Sequence, residues 1–315
     1  MDGDQIVKNK DLTPDYNPFK RGEPWQRPKR LNVEGTIMNE QIKEGKEHEM
    51  AFKTIKFEEP ETEVGLITLD RPERLNALSL DMVEELQILF GQLYSREQVR
   101  VLMITGEGRG FCSGADLKDA RLSREAATFI TNATIHLVTI QKKYANLVPE
   151  MRRLPQPIIA VVNGPAAGGG MCIALASDVI IAGPRATFTP SFINIGLSGG
   201  EMGTTYFLPR MVGSARAAEI LLTGRTVDAA EAERIGLVSR VVEEGRLMEA
   251  ALEIARRMLE KSPMGLRLTK EALHLNLTAP SLEAAIELEN RNQSMCCCTP
   301  DFLKAVEAFS KRGKG

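Results

Sequence analysis

The sequence is poor in the residues that announce most chemistries. Histidine occurs only three times, as His48, His136 and His274 on separate segments, so neither a histidine-rich metal site nor a local His-based relay is expected. The five cysteines lack the paired spacing of a secreted disulfide framework, which predicts reduced thiols and a cytoplasmic location. Cys296, Cys297 and Cys298 are consecutive, and side chains in a row diverge instead of converging on an ion. Neither sign of charge is in excess. Forty Lys and Arg are interleaved with 42 Asp and Glu for a net charge of −2, which argues against a nucleic-acid or membrane-surface partner. No apolar run is long enough to span a membrane, and the acidic start Met1-Asp2-Gly3-Asp4 does not read as a secretory signal. Neither a metal nor a separate cofactor is expected.

What is present begins with one shift of composition near residue 50. Residues 1–51 hold Pro14, Pro18, Pro24, Pro28 and the single tryptophan, Trp25, among many charges, and read as an extended arm. Residues 52–245 then alternate strand-like and helical patterns. Ile55 to Leu69 reads as a hairpin, and Ser79 caps a helix carrying Met82, Val83, Leu86, Leu89 and Phe90. Val99 to Thr105 and Pro157 to Val162 read as buried strands, with a long helix from Arg124 to about Met151 between them, capped by Ser123. A short helix is predicted over Met171–Ala176, and a strand over Val179–Ala182. Helical periodicity dominates from Glu201, and residues 246–315 form a helical region; three helical patterns are discernible over 244–312. Repeated ββα units with a helical tail suit an α/β spiral better than an open doubly wound sheet.

Two small-residue turns follow apolar runs: Phe111-Cys112-Ser113-Gly114-Ala115-Asp116-Leu117-Lys118 and Asn163-Gly164-Pro165-Ala166-Ala167-Gly168-Gly169-Gly170. Each can bring bare backbone N–H groups against a ligand, because glycine has no Cβ to hold it off. Two such donors aimed at one oxygen make an oxyanion hole, and one missing donor typically costs about 3–4 kcal/mol of transition-state stabilisation.

These turns resemble the oxyanion loops of the enoyl-CoA hydratase/isomerase (crotonase) superfamily. Leu69 to Leu78 resembles its first turn, and Leu221-Leu222-Thr223-Gly224-Arg225 followed by Ala229 to Val241 resembles its later signature. The likeness covers roughly residues 52–312 with its motifs in order. It implies a crotonase-like ββα spiral with a C-terminal helical oligomerisation region, an acyl-CoA thioester as substrate, and a trimer or hexamer. The first donor would be the Ala115 N–H and the second the Gly169 N–H. Leu75, Ala77, Ser113, Gly114, Asp116, Leu117, Lys118 and Gly168 would lie along the CoA thioester, with Cys172 and Phe192 beside the acyl group. Lys304 or Lys311 would either meet a CoA phosphate or form a solvated basic end.

The sequence also departs from the family. Hydratases carry two glutamates for the water and the α-proton, and the corresponding positions here are Cys172 and Phe192. Phenylalanine has no proton chemistry, and an ordinary thiol titrates at about 8.5. Glu201 falls where dienoyl-CoA isomerases of the family place an acid. It is expected to open a helix near the acyl chain and to serve as the single acid/base. Helix capping is its alternative role. Isomerisation or hydration of an unsaturated acyl-CoA is therefore the leading expectation. Other enolate chemistry (hydrolysis, decarboxylation, C–C cleavage) and non-catalytic acyl-CoA binding remain open. Gly196-Leu197-Ser198-Gly199-Gly200 matches a hydrolase elbow in letters, but only His274 lies downstream and no HGGG-type loop exists.

Overall fold

The computed structural model describes residues 52–119 and 140–312. The expected arm over 1–51, the Ser123 cap, His48 and His136 lie outside the described residues. The hairpin is β1 (Ile55–Glu61) with β2 (Val64–Leu69), antiparallel, and parallel strands β3 (Val101–Gly106) and β4 (Ile158–Val162) follow. With β6 (Val179–Ala182) and β9 (Arg240–Val241) they form a six-stranded sheet in the order β1-β2-β3-β4-β6-β9. A smaller sheet joins β5 (Pro165–Ala167), β7 (Thr187–Thr189) and β8 (Val227–Asp228).

The apolar runs of β3 and β4 are explained by cover on both faces. Successive side chains of a strand point to opposite faces. Leu102, Ile104, Ile158, Ala160 and Val162 accordingly enter one cluster with Leu86, Leu89 and Phe90 of α1 (Leu80–Tyr94). Val101, Met103, Ile159 and Val161 enter a second with Ala250, Ala251 and Ala255 of α7 (Leu247–Leu259). A parallel sheet buried on both sides carries unbroken hydrophobic strands. Burying each Leu or Ile fully contributes about 1.5–3 kcal/mol.

The ββα spiral is present. After β4 and β5, one strand in each sheet, comes α3 (Gly169–Ala176). After β6 and β7 come α4 (Thr204–Val212) and α5 (Ser214–Thr223), and after β8 comes α6 (Ala229–Arg234). Ser79 caps α1 by accepting from the Met82 N–H at 3.2 Å. The described part of the long helix is α2 (Lys142–Arg153). The tail holds four helices where three were expected: α7, α8 (Pro263–Leu275), α9 (Leu282–Cys297) and α10 (Pro300–Arg312). Ser262 with Pro263 and the Ser281 cap open α8 and α9, and Pro300 opens α10, so each break is chemical.

Candidate active site

Both glycine turns leave the C-terminal ends of neighbouring parallel strands, β3 and β4, the edge where open α/β sheets bind ligands. Asn163 ties them together. Its Nδ2 donates to the Gly106 and Gly108 carbonyls, each at 2.9 Å. The Phe111 and Cys112 N–H groups donate to Pro165 O, and Ala167 N–H donates back to Cys112 O at 2.9 Å. A Cβ on Gly164 would lie 2.1 Å from Arg109 O, so only glycine lets the two chains meet there.

The two donors are exposed by one device used twice. Gly114 has φ +92° and Gly168 has φ +50°, and each immediately precedes a donor. In these left-handed conformations the next peptide turns its N–H out of the local ladder. Leu78 N–H donates to Gly114 O at 2.8 Å and Asp116 N–H donates to Leu78 O at 2.9 Å, so the intervening Ala115 N–H points away from Leu78. No described residue accepts it. Gly169 is the first residue of α3, two residues earlier than expected, where an N–H has no intrahelical acceptor. The loops touch: a Cβ on Gly114 would stand 3.3 Å from Gly169 N. The positive end of α3 favours negative charge at this place.

Apolar groups and one acid stand around these donors. A Cβ on Gly169 would meet Leu78 Cδ1 at 2.8 Å and Met202 Sδ at 3.5 Å, and one on Gly168 would meet Phe192 at 3.3 Å. Cys172 is fully buried, its thiol reaching the carbonyls of Gly168 (3.3 Å) and Glu201 (3.5 Å). Burial, reinforced by the nearby Glu201 carboxylate, pushes that thiol well above its ordinary range and keeps it neutral. Cys112, packed against Gly170 at the start of α3, is pushed up to about 12 by burial.

Glu201 does not open a helix. It sits in the turn before α4, whose first residue is Thr204 and whose cap is Gly203, because Met202 and Gly203 adopt positive φ and break the helical path. Its carboxylate instead accepts from the Met202 N–H at 3.2 Å and from Gln141 Nε2 at 2.5 Å. Burial raises its pKa, and the two donors hold back only part of that rise. At this carboxyl desolvation outweighs the hydrogen bonds.

The remaining candidates divide between framework and open surface. Leu75 is left-handed at φ 50°, and its carbonyl accepts from Ser113 N–H at 3.0 Å, while Ala77 is buried and gives its carbonyl to Arg71 at 2.6 Å. The Asp116 carboxylate is turned inward onto Arg71 (2.8 Å) and the Lys118 N–H (3.0 Å). Burial works against that charge, but these partners hold its pKa below the usual range. Leu117 is 63% exposed and Lys118 is exposed beside it. Lys304 is exposed on α10. Ser198 is exposed and accepts from the Gly200 N–H at 3.1 Å, an ordinary turn contact.

Sequence reasoning missed Gln141, Asn76 and Asn163. Asn76 is fully buried, accepts from Arg71 N–H, and donates to Glu107 O and Gly110 O. Its left-handed φ of 55° is the type of position asparagine favours, so the one signal in the sequence was an asparagine within the Leu69 to Leu78 turn.

The family model for enoyl-CoA hydratase/isomerase matches residues 59–315. The chain belongs to that family. A probable enoyl-CoA hydratase of Mycobacterium bovis is 45% identical over 256 residues, covering 81% of this chain and 89% of its own. The crystal structure of a probable enoyl-CoA hydratase/isomerase from Mycobacterium abscessus superposes with a TM-score of 0.75 at 39% identity, over 82% of this chain and 97% of that one. A monofunctional enoyl CoA isomerase from M. smegmatis matches at 42% identity with a TM-score of 0.62, over 74% of this chain and 98% of its own. The fold and the acyl-CoA enzyme class of this family member follow from these likenesses.

Proposed function

We propose that this family member isomerises an unsaturated acyl-CoA, with Ala115 and Gly169 as oxyanion donors and Glu201 as the single acid/base. One observation carries the reading. The two glutamate positions of hydratases are filled by a buried neutral thiol and a phenyl ring, while Glu201, whose main-chain carbonyl meets the Cys172 thiol of α3, carries a carboxylate of raised pKa near enough to act on that thiol. The likeness to a monofunctional enoyl CoA isomerase supports it.

In this mechanism Glu201 removes the α-proton of a β,γ-unsaturated thioester. The C–H electron pair moves into the bond to the carbonyl carbon, and the thioester oxygen takes up negative charge between the two N–H donors. When the dienolate collapses, the double bond moves to the α,β position and the γ-carbon recovers the proton from Glu201. Nothing is gained or lost, so one acid/base suffices. Hydration would need a second group to activate water, and Cys172 and Phe192 do not supply it. CoA would run past Leu75, Ala77 and the Ser113–Lys118 loop, with Leu117 presenting an exposed apolar side chain along that path. The exposed apolar faces of the tail would join copies of the chain as a trimer or a dimer of trimers.

The test is mass spectrometry of a thioester panel run in heavy water and in oxygen-18 water. Deuterium at the α- and γ-carbons without oxygen-18 uptake is expected. Crotonyl-CoA hydration at ordinary hydratase rates would defeat the isomerase reading. Full turnover by Glu201→Gln would defeat the assignment of the acid/base.

A further inference from the structure

Gln141 lies just before α2 and Tyr144 stands in its first turn, three residues on, so both can project from one side. They make two contacts that bracket the site. Tyr144 Oη donates to Leu78 O at 3.0 Å, beside the strand-like pairing that aims the Ala115 N–H. Gln141 Nε2 donates to Glu201 Oε1. The Met202 N–H converges on that same oxygen. Among the described residues nothing donates to Oε2. The main chain of Glu201 is fixed as well: its N–H donates to Thr204 Oγ1 at 3.1 Å, and its carbonyl accepts from Thr204 N–H at 2.9 Å.

We propose that Gln141 is a positioning residue that holds Glu201 by Oε1 and reserves Oε2 as the oxygen that takes and returns the substrate proton. The inference rests on Glu201 being the acid/base. Its chemistry is simple. An amide N–H never surrenders its proton, so the contact to Oε1 persists whether Oε2 is charged or protonated. A carboxyl held in this way need not swing between the two carbons it serves, which keeps the reacting atoms in one geometry. Two donors on one oxygen also direct an incoming proton to the other, because that oxygen keeps its lone pairs free. Among the described residues the groups that face this carboxyl do not contest the assignment: from α3 the neutral Cys172 thiol, from the start of α2 the uncharged Gln141 amide, and on its own turn a backbone N–H.

The experiment uses the full-length enzyme turning over a β,γ-unsaturated acyl-CoA, with kcat and KM measured across pH. Gln141→Met keeps the side-chain length and removes the donor, and Gln141→Asn keeps the donor but is one methylene too short. In both, kcat should fall roughly 10- to 100-fold with KM within about twofold, since the loss is of orientation and not of binding. The acid limb of kcat/KM should move up by about one pH unit, because a donor to the charged form has gone. A purely structural role would lower the melting temperature and leave that limb where it was. A native acid limb in both variants overturns the proposal. Glu201→Gln, run in parallel, separates the two ideas. If it turns over normally, the acid/base assignment fails and this inference fails with it. If it is inert while the Gln141 variants keep the native pH profile, only the positioning role is lost.

Discussion

Gly168 combines φ +50° with ψ −122°, a conformation that L side chains rarely adopt, and a Cβ there would approach Ser191 Oγ at 3.0 Å and the Phe192 ring at 3.3 Å. Gly168→Ala should therefore cost about 1–3 kcal/mol of stability through backbone strain. Because it re-aims the Gly169 N–H, it should also lower kcat by roughly 100-fold, as steady-state kinetics would show. Glu201 yields a second prediction, with opposite signs for stability and activity. Its folded pKa lies above the ordinary value of 4.5, mainly through burial. The cost of charging it is absent below the unfolded pKa and fully present above the folded one. Glu201→Gln should thus raise the melting temperature at neutral pH, with the gain vanishing in acid, while abolishing turnover. With this carboxylate as the proposed base, kcat/KM should fall as pH drops through a value above the ordinary carboxylate one. The two glycine turns were legible in the sequence because small-residue turns after buried strands carry their own physical reason. Gln141 was not, because its partner lies 60 residues away and no local pattern links them.

Asp178 shows what holds the elements of the site together. It follows α3 and receives the Ile158 N–H of β4 at 2.8 Å, Lys270 Nζ of α8 at 3.0 Å and His274 Nε2 of α8 at 2.6 Å, with Arg152 of α2 at 3.8 Å. Lys270 is 5% exposed and also donates to Gln156 O at 2.7 Å. Burial opposes the Asp178 charge, but the His274 contact, Lys270 and the Ile158 N–H together hold its pKa below the ordinary 3.8. A carboxyl depressed in this way stabilises the fold above its unfolded pKa, and that stability is lost as pH falls through the folded value. Asp178→Asn should cost about 3–5 kcal/mol, because it strands a buried ammonium. It should also remove that low-pH part of the loss of stability, as thermal melts across pH would show. At this scale the strands were legible since burial on both faces writes an apolar run. The partner of α7 was not, because an amphipathic pattern tells that a helix has a buried face without naming the sheet it covers. His274 looked like an isolated histidine for the same reason: Asp178 is 96 residues away in sequence.

Across the whole molecule, apolar side chains are left uncovered on the tail. Leu282 (71% exposed) and Ile286 (42%) lie four residues apart on α9, and Phe302 (42%), Val306 (46%) and Phe309 (81%) recur at helical spacing on α10, with Leu303 (60%) beside them. The sequence showed this periodicity in α10, but exposure could be read only once the sheet was seen to be already covered by α7. Apolar side chains exposed at helical spacing are the kind of surface that a protein–protein contact covers. The trimer proposed above makes a specific demand on it. Leu303→Asp with Phe309→Asp should shift the mass measured by light scattering from trimer or hexamer to monomer, because a charge forced into an apolar contact goes unpaired. Asp178 and the sheet lie in parts of the fold these changes do not touch, so the monomer should keep its native circular dichroism. Its turnover then separates two roles of the tail. An active monomer would mean that α10 serves assembly alone. Loss of activity with an intact core would mean that the helical tail also completes the acyl-CoA site.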